Sequence, residues 1–351
     1  MRRTACGVSR MRAVCYLGDG RVTLEDVPEP KIEQDRDAII DVEAASICGT
    51  DLHLIHTEGA LAPGTRLGHE YTGKVLEVGR AVRCLSPGQA VLGSSFVACG
   101  SCRACRRGDH WHCRQRRMLG TGSAFGPPLD GAQAERVRVP FADIVLSPRP
   151  AGIDTASAVL LSDVLATGYH VAARGAVQAG DVVAIVGAGP VGLAALLVAE
   201  LCGAAVVVVI DQLQTRRETA MDLGAVATDD GVSIVRELSD GWGADVVVEA
   251  SGSAGGLALA QDLVRGRGTL AVVGAPSQSA ALDPVSLFER EVAVRFVIGN
   301  PISAREELTR LVRFGPLDVT PLISQTLGLD DAGEAYELFA QRATLKILLR
   351  I

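Results

Sequence analysis

The chain has 351 residues, too many for one small core, so two domains are expected. Its composition is 48% hydrophobic and 21% charged with only 4% aromatics, which fits a soluble globular protein built mostly on Val, Ala, Leu and Ile. The formal charge of −7 argues against a nucleic-acid partner, and no apolar run reaches the roughly 18 residues of a membrane span.

Residues 1–10 are basic and lack the apolar stretch of a secretory signal. They read as a disordered extension, or as a misplaced start, ahead of a strand that begins at Met11. Up to about residue 150 the pattern is short strands (38–42, 71–78, 90–92 and 134–139) joined by Gly, Pro and Asp turns, a β-rich, barrel-like domain.

Inside that domain lie Cys99, Cys102, Cys105 and Cys113, spaced C-x2-C-x2-C-x7-C. Zinc takes four thiolates in a closed tetrahedron, and the small or polar residues between these cysteines suit a tight metal loop. Such a site has no open position, so it holds a loop together and does not catalyse. The alternative, a disulfide cluster, needs an oxidising compartment. With nine cysteines and no export signal, the expected address is the reducing cytoplasm. His110 and His112 fall inside the loop and read as surface, since four ligands are already present.

Beyond about residue 165 strands and helices alternate, the mark of a doubly wound parallel sheet. The apolar run 182–186 leads into Gly187, Ala188, Gly189, Pro190, Val191 and Gly192, and then into an apolar helix. In this G-x-G-x-x-G the first glycine makes the turn and the second lets backbone approach a pyrophosphate. The third lets helix and strand pack closely, with the phosphates at the helix N-terminus. The next strand ends at Asp211, whose carboxylate suits ribose hydroxyls and repels a 2′-phosphate, so NAD is expected over NADP. Arg216 and Arg217 follow on the same loop and pull the other way, because an arginine there can pair with a phosphate. From about residue 299 the alternation stops. Helices are expected over 304–314 and 330–342 and a strand over 346–351, with no internal repeat.

Three further segments carry candidate ligands: Cys48 in C-G-T-D-L-H, His69 and Glu70 in G-H-E, and Asp163 in L-S-D-V-L-A-T-G. Each is weak alone. Together with the four-thiol loop, G-A-G-P-V-G, the strand-ending Asp211 and Leu223-Gly224-Ala225, they resemble the zinc-dependent alcohol dehydrogenase family of the medium-chain dehydrogenases. The resemblance runs from about residue 11 to the end of the chain.

It implies an α/β protein with a β-rich GroES-like catalytic domain (1–163 and 299–351) and a Rossmann domain (164–298). It implies two zinc ions per subunit, the four-thiolate one being structural. Cys48, His69 and Asp163 would hold the catalytic zinc, with Glu70 a supporting group beside it or an exchangeable ligand. Three protein ligands leave a position for an alcohol oxygen, whose proton the ion makes easier to lose. Thr50, the nicotinamide ribose and His53 would relay that proton to solvent. Gly274 is expected against the nicotinamide and Lys346 against the pyrophosphate, while Phe96 is expected in the pocket wall. The implied activity is reversible NAD-dependent oxidation of an alcohol, whether secondary alcohol or polyol, to an aldehyde or ketone, by a homodimer or homotetramer. Two rivals remain open: a zinc-independent enone or quinone reductase of the same superfamily, and a non-catalytic nucleotide-binding protein.

Overall fold

A computed structural model describes residues 2–3, 9–275, 279–342 and 344–351. It divides into two compact units, Met1–Asp163 with Asn300–Ile351, and Val164–Gly299.

The N-terminal expectation needs correcting. The first long strand runs Ser9–Gly18, and Arg2–Arg3 pairs antiparallel with it. Arg10 extends the ladder by pairing with Pro28 on the strand Arg21–Pro28. Residues 2, 3, 9 and 10 are therefore strand and not extension. Met1 and residues 4–8, Cys6 among them, lie outside the described residues.

The first unit is built on a mixed sheet ordered Ser147–Pro148, Ala90–Leu92, Glu70–Val78, Ala38–Ser46, Lys346–Arg350 and Ile323–Gly328. Arg136–Val139 also pairs with Ala38–Ser46. In Ala38–Ser46 the alternate residues Ala38, Ile40 and Val42 enter the main core with Val75 and Leu119. A register shift between Val42 and Ala44 then reverses the alternation. Beyond it Ala45 joins that core with Tyr71, while Ala44 packs with Leu348 on the opposite face. Ser46 and Glu70, paired across the ladder, share the face of Ala44, as does Lys346, two positions from Leu348. This irregularity brings three polar side chains from distant parts of the sequence to one place.

The second unit has six parallel strands ordered Val226–Thr228, Val206–Ile210, Val182–Val186, Ala244–Glu249, Val264–Val272 and Ala293–Phe296. The central strands are near-continuous runs of buried β-branched residues, as a sheet covered on both faces requires. Strand order reverses between Val182–Val186 and Ala244–Glu249, and the glycine loop leaves the C-terminal end of the former. Open α/β sheets bind ligands at such a switch point.

Candidate functional site

Three backbone features place the candidate metal ligands Cys48, His69, Glu70 and Asp163 in the first unit. Cys48 is the N-cap of the helix Gly49–His56. Glu70 opens the strand Glu70–Val78, and His69 immediately precedes it. Asp163 follows Ser162, the C-cap of the helix Thr155–Leu161. One ligand atom from each of Cys48, His69, Glu70 and Asp163 lies within 4.8 Å of the others.

The surroundings orient these groups. The Asp51 carboxylate, 1% exposed, accepts the Cys48 N–H at 2.9 Å and lies 3.2 Å from His69 Nδ1. With Nδ1 facing Asp51, Nε2 faces the cluster, 3.9 Å from Asp163 Oδ2. Ser95 donates to Asp163 at 2.8 Å. Burial works against a charged His69, but Asp51 and Cys48 outweigh it and hold the imidazole well above its usual range. Burial, with Glu70 next, pushes the Asp163 carboxyl up. Both shifts express crowded anionic groups in a dry site, and a cation relieves both. Among the described residues neither buried His69 nitrogen, nor Asp51 Oδ1, nor Glu70 Oε1 makes a hydrogen bond, so the Asp51–His69 approach is a charge contact. A soft thiolate, an imidazole and hard carboxylates within 4.8 Å of one another are a donor set that fits zinc.

Glu70 is fully buried. Its Oε2 accepts from the Ser46 hydroxyl and from Lys346 Nζ. Lys346 is 2% exposed and also donates to the Ile47 carbonyl at 3.1 Å. It is therefore spent inside the first unit, which corrects the expected contact with a pyrophosphate. Thr50 and His53 lie one turn apart on the helix Gly49–His56, with Thr50 Oγ1 3.8 Å from Cys48 Sγ and both side chains partly exposed.

Cys99, Cys102, Cys105 and Cys113 form a second cluster, again with sulfurs within 4.8 Å of one another, and all four are free thiols. The pair Phe96–Val97 and Arg117–Met118 closes the base of this loop. Backbone N–H groups point at the sulfurs: Cys102 to Cys99 at 3.4 Å, and Cys99 and Gln115 to Cys113 at 3.3 and 3.4 Å. Burial opposes ionisation of Cys99, yet donors from Ser101 and Cys102 prevail and bring it down to about 6. Two expectations fail here. Phe96 is 1% exposed and packs edge-on against Trp111, so it is core and not pocket wall. His110 is half-buried, and burial lowers its pKa.

In the second unit Gly187 adopts φ +102°, and a Cβ on Gly192 would meet the Gly187 carbonyl oxygen at 1.9 Å. Pro190 opens the helix Pro190–Leu201 and Val191 follows it, so free N–H groups face the loop. Asp211 accepts from Ala188 N–H at 2.8 Å and from Leu213 N–H at 2.9 Å, tying the loop to the strand end. Arg217 is occupied by the carbonyls of Asp211 and Gln212. Arg216 reaches the loop itself, 3.9 Å from where a Gly189 Cβ would stand. Gly274 packs against Gly252 and Glu249, with no room for a side chain. This cradle fits a dinucleotide pyrophosphate.

Spacing did not reveal Asp51, Ser46 or the inward course of Lys346. The fourth letter of C-G-T-D was the one available signal, an acid at the third position of a helix. No single helix among the described residues is long and apolar enough to cross a membrane.

Sequence profiles of known families match both parts of the chain: the alcohol dehydrogenase GroES-like domain over residues 34–149 and the zinc-binding dehydrogenase domain over 190–314. A "Probable zinc-binding alcohol dehydrogenase" of Mycobacterium tuberculosis is 34% identical over 328 residues, 93% of this chain and 84% of its own length. The solved alcohol dehydrogenase TADH of Thermus sp. ATN1 superposes with a TM-score of 0.92 at 36% identity, covering 97% of this chain and 99% of that one. A Sinorhizobium meliloti structure bound to NADP gives a TM-score of 0.85 at 30% identity, covering 98% and 100%.

Proposed function

The chain belongs to the zinc-dependent alcohol dehydrogenase family and is an oxidoreductase acting on alcohols; from that premise we propose that it oxidises a secondary alcohol or polyol hydroxyl to the carbonyl, reversibly, with NAD. The observation that carries this reading is the meeting of Cys48, His69, Glu70 and Asp163 in one buried cluster. Bound zinc supplies Lewis-acid polarisation of the substrate oxygen, and bound nicotinamide supplies the hydride acceptor.

The rest is the work of this chain's residues. Cys48, His69 and Asp163 bind the metal, and Asp51 fixes the histidine ring. Thr50 takes the alcohol proton at its hydroxyl, and His53, one turn along the same helix, passes it to solvent. Gly187, Gly189, Pro190, Val191 and Gly192 cradle the pyrophosphate, and Gly274 lies beyond the end of the strand Val264–Val272, two places along the sheet. The Asp211 carboxylate supports NAD, and Arg216 beside the loop makes that preference incomplete. The four-cysteine loop holds a second, structural zinc, which suits a reducing compartment such as the cytoplasm.

A second copy of the chain is the proposed partner. Among the described residues the strand Ala293–Phe296 is a sheet edge with no further partner, and Phe296, Phe288 and Ile298 are exposed around it. Two such edges related by a two-fold axis would extend the sheet and cover the patch.

The test is metal content together with NADH absorbance over a panel of alcohols. Two zinc per subunit and turnover with NAD support the reading. An equal or higher kcat/KM with NADP removes the cofactor assignment, and activity on enones without metal removes the mechanism.

A further inference from the structure

Glu70 faces in two directions. One carboxylate oxygen is held by Ser46 and Lys346, and the other is buried without a partner, while the residue itself belongs to the metal cluster. Lys346 has no other ion pair among the described residues. A lysine 2% exposed and a glutamate 0% exposed cost several kcal/mol each to desolvate, so their pairing must offset an unfavourable burial. The main chain makes the arrangement rigid. Ser46 and Glu70 are ladder partners, and the adjoining strand begins at Lys346.

Charge explains what such a pair would achieve. A divalent ion is already balanced by the Cys48 thiolate and the Asp163 carboxylate. Glu70 is a surplus anion beside it, and Lys346 is the cation that matches it. Without Lys346, the nearest cation available to Glu70 is the metal, and Oε1 is already unengaged.

We propose that Lys346, assisted by Ser46, is a positioning residue that holds Glu70 off the metal and so keeps one coordination position open for the substrate oxygen. This rests on reading Cys48, His69 and Asp163 as the metal's ligands. Lys346→Met therefore closes the site: the metal binds as tightly as before or more tightly, and access from outside is lost. A purely structural role has the opposite signature, since losing a supporting group weakens metal binding by about 10–100-fold.

The experiment uses cobalt in place of zinc and follows the visible d–d spectrum during titration with imidazole. Only an open site responds, so the four-thiolate site stays silent. We expect imidazole affinity to fall at least about tenfold in Lys346→Met, with cobalt affinity by chelator competition undiminished. Lys346→Arg should bind imidazole as the wild type does. Lys346→Met with Glu70→Gln should regain it, because the amide carries no charge to neutralise. Unchanged imidazole affinity in Lys346→Met, weakened cobalt binding, or no recovery in the double variant overturns the proposal. If Lys346→Met does not fold, Ser46→Ala removes one of the two donors and should show the same change at smaller size; no change there is equally fatal. A wild-type protein whose cobalt spectrum ignores imidazole would instead sink the ligand assignment.

Discussion

The two clusters of candidate metal ligands in the first unit are assembled in opposite ways. The four-cysteine loop draws all its ligands from residues 99–113, closed by one short strand pair. The Cys48 cluster draws on residues 48, 69, 70 and 163, and its supports come from 46, 51, 95 and 346. The loop is a local object set in the fold, whereas the cluster exists only because the fold exists. A closed, local site stabilises, while an open site built by tertiary contacts can be tuned for chemistry.

Breaking each site should separate these roles. His69→Ala should lower kcat/KM of the folded protein by about three orders of magnitude or more, since Lewis-acid assistance is worth several kcal/mol. Undiminished turnover would remove the Cys48 cluster from the chemistry and make the two sites alike. Cys105→Ser should do the reverse, costing roughly 3–5 kcal/mol of stability, read by denaturant unfolding, with kcat of the surviving folded protein nearly intact. Asp51→Asn probes the support without touching a ligand. Metal affinity at the Cys48 cluster should fall about 10–100-fold by chelator competition while the cysteine loop keeps its ion.

The smallest effect concerns acid sensitivity near the loop. Burial, opposed by Asn300, lowers the pKa of His110 in the folded state. The unfolded chain therefore takes up a proton first, at about 6.5. His110's contribution to stability is complete above that pH and is lost as pH falls below it. His110→Gln should flatten the decline of melting temperature between pH 7 and 5.5, and an unaltered slope would exclude the histidine.

The contrast also explains what could be read in advance. The C-x2-C-x2-C-x7-C spacing and the strand–glycine–helix run around Gly187 were legible because short loops confine their own geometry. The G-H-E and C-G-T-D segments were legible only as a set. Lys346 was misplaced because a lysine opening a strand gives no sign of which way it turns, and Phe96 because an apolar residue before a metal loop can face either side.

The sequence by itself determined the four-thiol loop, the glycine cradle and the alternation that builds a parallel sheet, all set by residue spacing and intrinsic backbone preference. Tertiary structure alone decided that Asp51 meets His69, and that Ser46, Glu70 and Lys346 share one face. Those meetings depend on ladder register and on one irregularity at Val42 and Ala44, which only hydrogen bonding between strands far apart in the chain can set.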